Sequence, residues 1–208
     1  MKSESSSAQH WDDVYGAKSP DEVSWFQRNP SVSLALIEAN AVPSQGIVDV
    51  GAGASTLVDR LVDRGYSDIT VVDISSKALD QVATRLGGKS DSVEFVTANV
   101  LTWRPSRHFA LWHDRAVFHF LTNPSDQRRY VATCSSAVSP GGVIVLGVFA
   151  PDGPAQCSGL SVQRYDDEGL ARVFGEQFSV SASQREEHVT PWGAVQPFTW
   201  LVLRREGS

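Results

Sequence analysis

Cysteine is almost absent from this 208-residue chain, which has only Cys134 and Cys157. Two residues so placed make no disulfide framework and lack the spacing of a zinc site, so a stapled secreted miniature is excluded and a reducing compartment is expected. Lysine is scarce too, with four against 14 arginines, and the 18 cations are dispersed among 24 acids for a net charge of −6. Without a basic stripe, a nucleic-acid backbone is not the expected partner. The longest apolar run, Val143 to Ala150 with Gly147 inside it, falls far short of the ~20 residues that cross a bilayer. The opening MKSESSSAQ has no apolar signal core. These absences lead to a soluble cytoplasmic protein, monomer or homodimer, with a small-molecule partner. What is present, 41% hydrophobic residues in a chain slightly longer than one average domain, is enough for one sizeable core.

Residues 1–8 are polar and Ser-rich and are expected to be a disordered tail; a single domain then runs over 9–208. Its first part, 9–42, is aromatic and polar by turns (Trp11, Tyr15, Trp25, Phe26) before a helix capped by Ser31. From residue 47 the period alternates. Apolar strands at Ile47 to Val50, Ile69 to Val72, Val93 to Val96, Phe109 to Trp112 and Val143 to Phe149 are separated by amphipathic helices, with Pro140-Gly141-Gly142 breaking the last helix. Strands alternating with helices specify a parallel sheet covered on both faces. After a helix near Asp166 to Phe174, the stretches Phe178 to Gln184 and Phe198 to Arg204 leave no room for a crossover helix and must pair as a hairpin. The fold class is α/β: a Rossmann-like, seven-stranded, mostly parallel sheet ending in an antiparallel hairpin.

The first strand runs into Val48-Asp49-Val50-Gly51-Ala52-Gly53-Ala54-Ser55, a glycine-rich turn that opens a helix. Gly51 and Gly53 permit a tight bend and close approach of a ligand. A dinucleotide fingerprint has a third glycine where this chain has Thr56, and Asp49 places a carboxylate where a pyrophosphate gains nothing and a cationic ammonium or sulfonium is attracted. Asp73, at the end of the second strand, suits the two hydroxyls of a ribose; it suits equally the capping of the next helix.

On these residues the chain resembles the class I S-adenosylmethionine-dependent methyltransferases over roughly Trp11 to Arg205. The resemblance implies that Asp49, Gly51, Ala52 and Gly53 approach the methionine part of S-adenosylmethionine, that Asp73 and Ile74 border its ribose, and that Asn99 and Val100, beside Leu101, meet the adenine. The segment Trp11 to Phe26 resembles the N-terminal cover of tellurite-resistance and thiol-methylating members, which implies that Trp11, Tyr15 and Trp25 close over the cofactor and that Trp25 and Phe26 reach the acceptor. Ligands of open α/β sheets sit beyond the carboxyl ends of strands, which puts Asp114, Arg115, Phe118 and His119 at the substrate edge; Asp114 and Arg115 read equally as a structural ion pair. Asp114 also stands among the cofactor contacts. Cys157 in the loop after the fifth strand, and Trp192 with His188 and Gln196 in the hairpin connection, are expected at the pocket rim. His119, Tyr165 and Asp114 are the candidates to hold or deprotonate the acceptor. His113 and His119 match no metal motif, and no metal is expected. The expected reaction is methyl transfer to a small molecule, first of all a thiol. Alternatives are O- or N-methylation of a small natural product, an NAD(P)-dependent oxidoreductase, and a non-catalytic cofactor-binding protein.

Overall fold

The computed structural model describes residues 4–17 and 19–207. Helix α1 (Glu4–Ala17) begins inside the segment expected to be a tail, of which residues 1–3 lie outside the described residues. A short 3₁₀ turn (Pro20–Glu22) leads to α2 (Ser31–Asn40), whose N-cap is Pro30, so that Ser31 is the first helical residue and not the cap. The alternation then proceeds through β1 (Ile47–Val50), α3 (Leu57–Asp63), β2 (Ile69–Asp73), α4 (Ser76–Leu86), β3 (Val93–Thr97), β4 (Phe109–Arg115), α5 (Pro124–Ala137) and β5 (Val138–Phe149). Two of these helices start on side-chain caps: Ser75 accepts from the amide of Ala78, and Asn123 from that of Ser125. Pro140-Gly141-Gly142 does not end a helix. Strand β5 already starts at Val138, pairs there with Phe109, and absorbs the extra residues as a register shift before Leu111 meets Val143.

The loop after β5 holds a two-residue strand pair, β6 (Gln156–Cys157) and β7 (Leu160–Ser161), and is followed by α6 (Asp167–Phe174) and the hairpin β8 (Phe178–Val189) and β9 (Val195–Arg205). The sheet order is β3-β2-β1-β4-β5-β9-β8, parallel from β3 to β5 and antiparallel through β9 and β8. The hairpin is longer than expected and carries the sheet's edge toward the N-terminal segment.

Because side chains alternate along a strand, the sheet has two separate core faces. Ile47, Leu111, Val143 and Val145 pack with Leu34 and Ile37 of α2 and Leu57 and Leu61 of α3. Val48, Val50, Trp112, Ile144 and Leu146 pack with Tyr130 and Cys134 of α5 and Leu170 and Phe174 of α6. This parity decides where every polar residue near the strand ends can point.

Candidate active site

The turn after β1 is built for glycine. Gly51 has φ +61°, and a Cβ there would stand 1.9 Å from Cγ2 of Val117. Gly53 has φ +53°, and a Cβ there would stand 2.1 Å from the hydroxyl oxygen of Tyr15. Asp73 holds this turn from below: its Oδ2 accepts from the amide of Gly53 at 2.8 Å and its Oδ1 from the amide of Ser75 at 2.8 Å. Burial, with Asp49 adding to it, pushes the Asp73 carboxyl up to about 6. Thr56, standing where a dinucleotide site has glycine, donates its hydroxyl to the carbonyl of Gln27 at 2.9 Å and so ties the loop to the N-terminal segment.

That segment is a cover. Trp11 makes edge contacts with Trp25 and Phe120, and Tyr15 with Trp25. Helix α1 is latched to α4, since Ser75 Oγ donates to Asp12 at 2.6 Å and Gln81 donates to the carbonyl of Tyr15 at 2.7 Å. Under the cover lies a narrow cleft with a cavity volume of about 40 Å³, below the range of small-ligand sites. Tyr15, Trp25, Phe26, Asp49, Gly51, Ala52 and Arg115 line it, together with Ser33 and His113, which were not among the candidate site residues. Gly53→Ala is expected to drive Tyr15 off the loop, lowering cofactor affinity at least ~10-fold and changing the Trp11 and Trp25 fluorescence. Adding Tyr15→Ala, which removes the clash, should restore the affinity in part.

His113 and Asp49 meet because β1 and β4 pair in register with Asp49 opposite His113. His113 Nδ1 lies 2.7 Å from Asp49 Oδ1, and Nε2 lies 3.0 Å from Ser33 Oγ, with all three side chains buried. A carboxylate only accepts, so Nδ1 carries the proton and the Asp49 carboxylate is held in one orientation at the cleft wall.

Several expected site residues lie elsewhere. Parity turns Asp114 to the opposite face, where it accepts from the amides of Val117 and Phe118 and from the hydroxyl of Tyr130. It lines no part of the cleft and makes no ion pair with Arg115, so its place is structural. Phe118 is core, packed on Tyr130, Tyr165 and Phe174. Tyr165 is buried on that same face, outside the cleft lining; its hydroxyl accepts from Gln127 at 2.9 Å and burial pushes its phenol up to about 12. Trp192 is 61% exposed in the hairpin turn. Cys157 is buried behind the cleft, its thiol pushed up by burial to about 12. Asn99 accepts through Oδ1 from the amide of Leu101 at 2.9 Å, stapling the turn that holds Val100; with Ile74 it lies outside the cleft lining.

His119 is fully buried between Phe120 and Phe149, and burial, with Arg115 adding to it, lowers it to about 3. It stays neutral at ordinary pH and lines no part of the cleft, so it is not a general base there. The folded state refuses a proton that the unfolded chain takes, so the stability contributed by this neutral imidazole is lost as pH falls from about 6.5 toward 3. His119→Gln should therefore narrow the stability difference between about pH 7 and about pH 5 by roughly 2 kcal/mol, read by urea unfolding.

The comparisons with known proteins bear on this arrangement. A family profile described as a methyltransferase domain matches residues 47–142. The match takes in a little under half of the chain. The chain is 24% identical over 135 residues to malonyl-[acyl-carrier protein] O-methyltransferase 1 of Ilyobacter polytropus, covering 64% of this chain and 49% of that one. It thus spans about half the length of that curated relative. Among solved structures, one described under conversion of a disulfide bond into a thioacetal group during echinomycin biosynthesis superposes with a TM-score of 0.76 at 20% identity, covering 96% of this chain and 93% of that one. The Burkholderia thailandensis 1,6-didemethyltoxoflavin-N1-methyltransferase, solved with its substrate and S-adenosylhomocysteine, superposes with a TM-score of 0.70 at 20% identity, covering 98% and 85%. The chain therefore shares its fold with these solved structures. Its matched span holds the glycine turn, Asp73, His113 and Arg115, whereas the aromatic cover and the hairpin lie outside it.

Proposed function

We propose that the chain transfers a methyl group from S-adenosylmethionine to a small-molecule acceptor, and that the accepting atom is the sulfur of a thiol. The observation that carries the reading is the glycine turn between two carboxylates: Gly51 and Gly53 hold positive φ with Val117 and Tyr15 packed directly on their backbone, Asp73 lies beneath at the end of β2, and Asp49 stands in the cleft wall. Asp73 would take the ribose hydroxyls and Asp49 the ammonium. Bound there, the cofactor supplies a methyl on a positively charged sulfur that departs as a neutral thioether. Tyr15, Trp25 and Phe26 exclude water and present ring faces to that charge.

The thiol reading is supported by what the cleft offers the acceptor. Tyr165, His119 and Asp114, the candidate bases, do not line it. A thiol, with a pKa near ~8.5, needs little help to ionise. The named relatives span carboxyl oxygen, ring nitrogen and sulfur chemistry, so the acceptor atom follows from the pocket and not from the fold. The test is calorimetric titration with S-adenosylhomocysteine, followed by mass-spectrometric screening of thiols, phenols, amines and carboxylic acids for the gain of one methyl. Cofactor binding with methylated thiols is the expected result. No binding overturns the whole reading, and methylation confined to oxygen or nitrogen overturns the thiol.

A further inference from the structure

Arg115 is the only arginine or lysine among the described residues lining the cleft. Its Nη1 donates to the carbonyl of Trp25 at 2.9 Å, and its guanidinium carbon lies 4.6 Å from the centre of the Phe198 ring. Its Nε and Nη2 are buried and have no hydrogen-bond partner among the described residues. Those two N–H groups form one edge of the guanidinium, side by side and nearly parallel, the fork that fits a carboxylate with two hydrogen bonds.

Nothing the protein supplies answers this fork. Arg115 forms no ion pair among the described residues. Glu186, the carboxylate that acts on it, has Oε1 taken by Gln27 at 2.8 Å and Oε2 by the indole of Trp200 at 2.8 Å. His119 and His188 are kept toward the neutral form, chiefly by burial and further by Arg115 itself. The Cys157 thiol is likewise held protonated by burial. Two orphaned donors on a buried cation burden the fold, and such a burden marks a site whose partner comes from outside.

We propose that Arg115 anchors a carboxylate on the acceptor, gripping both oxygens with Nε and Nη2 under the closed cover. The carboxylate is the handle and not the methylated group, because its lone pairs face the fork; the acceptor is a small acid with its thiol elsewhere on the molecule. This rests on the methyltransferase reading for what the captured molecule is, but the capture itself is measured by binding alone.

The test is calorimetry on the full chain saturated with S-adenosylhomocysteine, comparing 3-mercaptopropionate with 3-mercaptopropanamide. The acid should bind at least ~10-fold more tightly than the amide, the worth of one charge-assisted pair. Arg115→Gln, titrated at saturating S-adenosylhomocysteine, should erase that preference. Arg115→Lys, which keeps the charge without the fork, should retain less than half of it. Equal affinity for acid and amide in the parent, a preference that survives Arg115→Gln, or tighter binding of 2-mercaptoethanesulfonate than of the acid overturns the proposal. Should Arg115→Gln fail to fold, the parent comparison and Arg115→Lys decide it. Failure to bind S-adenosylhomocysteine at all overturns the methyltransferase reading instead, and the acid and amide titrations are then run without it and still decide the anchor.

Discussion

Asp73→Ala is expected to abolish measurable S-adenosylhomocysteine binding, a loss of at least ~100-fold, and to cost about 2–5 kcal/mol of stability in urea unfolding. Both effects come from one carboxylate. Its two oxygens accept from the amides of Gly53 and Ser75, so truncation orphans two donors at the turn and at the start of α4. Asp73→Asn separates the contributions, because the amide keeps one acceptor oxygen while presenting hydrogens to the other amide. The pH dependence has a definite sign. A carboxyl near 6 in the folded state against 3.8 unfolded binds its proton more tightly when folded, so the stability it contributes is fully present below about 3.8 and is lost as pH rises through about 6. Asp73→Asn should flatten that part of the profile.

Asp114→Ala should be the most destabilising single change at the ends of the strands, at about 3–5 kcal/mol, without altering discrimination between acceptors. Asp114 accepts from Val117, Phe118 and Tyr130 on the face away from the cleft. Those bonds hold the turn in which Ala116 takes a left-handed φ of +69°, a conformation that costs a non-glycine residue ~1 kcal/mol. Tyr130→Phe removes one of the donors and leaves the indole of Trp112, 2.9 Å from that hydroxyl, without its partner. The two changes share a network, so the double variant should lose clearly less than the sum of the singles. A fall in kcat with unchanged thermal stability would instead place Asp114 in the chemistry.

The centre of the sheet was legible because β1, β2 and the second half of β5 are buried on both faces and read as Val and Ile runs. The same rule hid the entry of β5, where proline and two glycines belong to a strand that shifts register. In the site, Gly51, Gly53 and Asp73 were legible because they act within one turn and its neighbour. Asp49 was legible as a carboxylate, but its partner was not, since His113 reaches it only through strand register across 64 residues of chain, and Ser33 reaches His113 through helix packing across 80. The available signal was parity: in Leu111, Trp112, His113 and Asp114, alternation sends the imidazole and the carboxylate to opposite faces. Applied along β4, it separates the cleft residue from the structural one.

The far end of the β8–β9 hairpin holds the cover. His188 Nε2 lies 2.6 Å from the carbonyl of Ser24, and Gln27 donates to Glu186 at 2.8 Å. Residues 24–27 are thus clasped by residues 186–188. On the ribosome, where chains fold as they emerge, residues 24–27 lack these partners until the hairpin has followed them out, so this part of the roof closes later than the cleft floor beneath it forms.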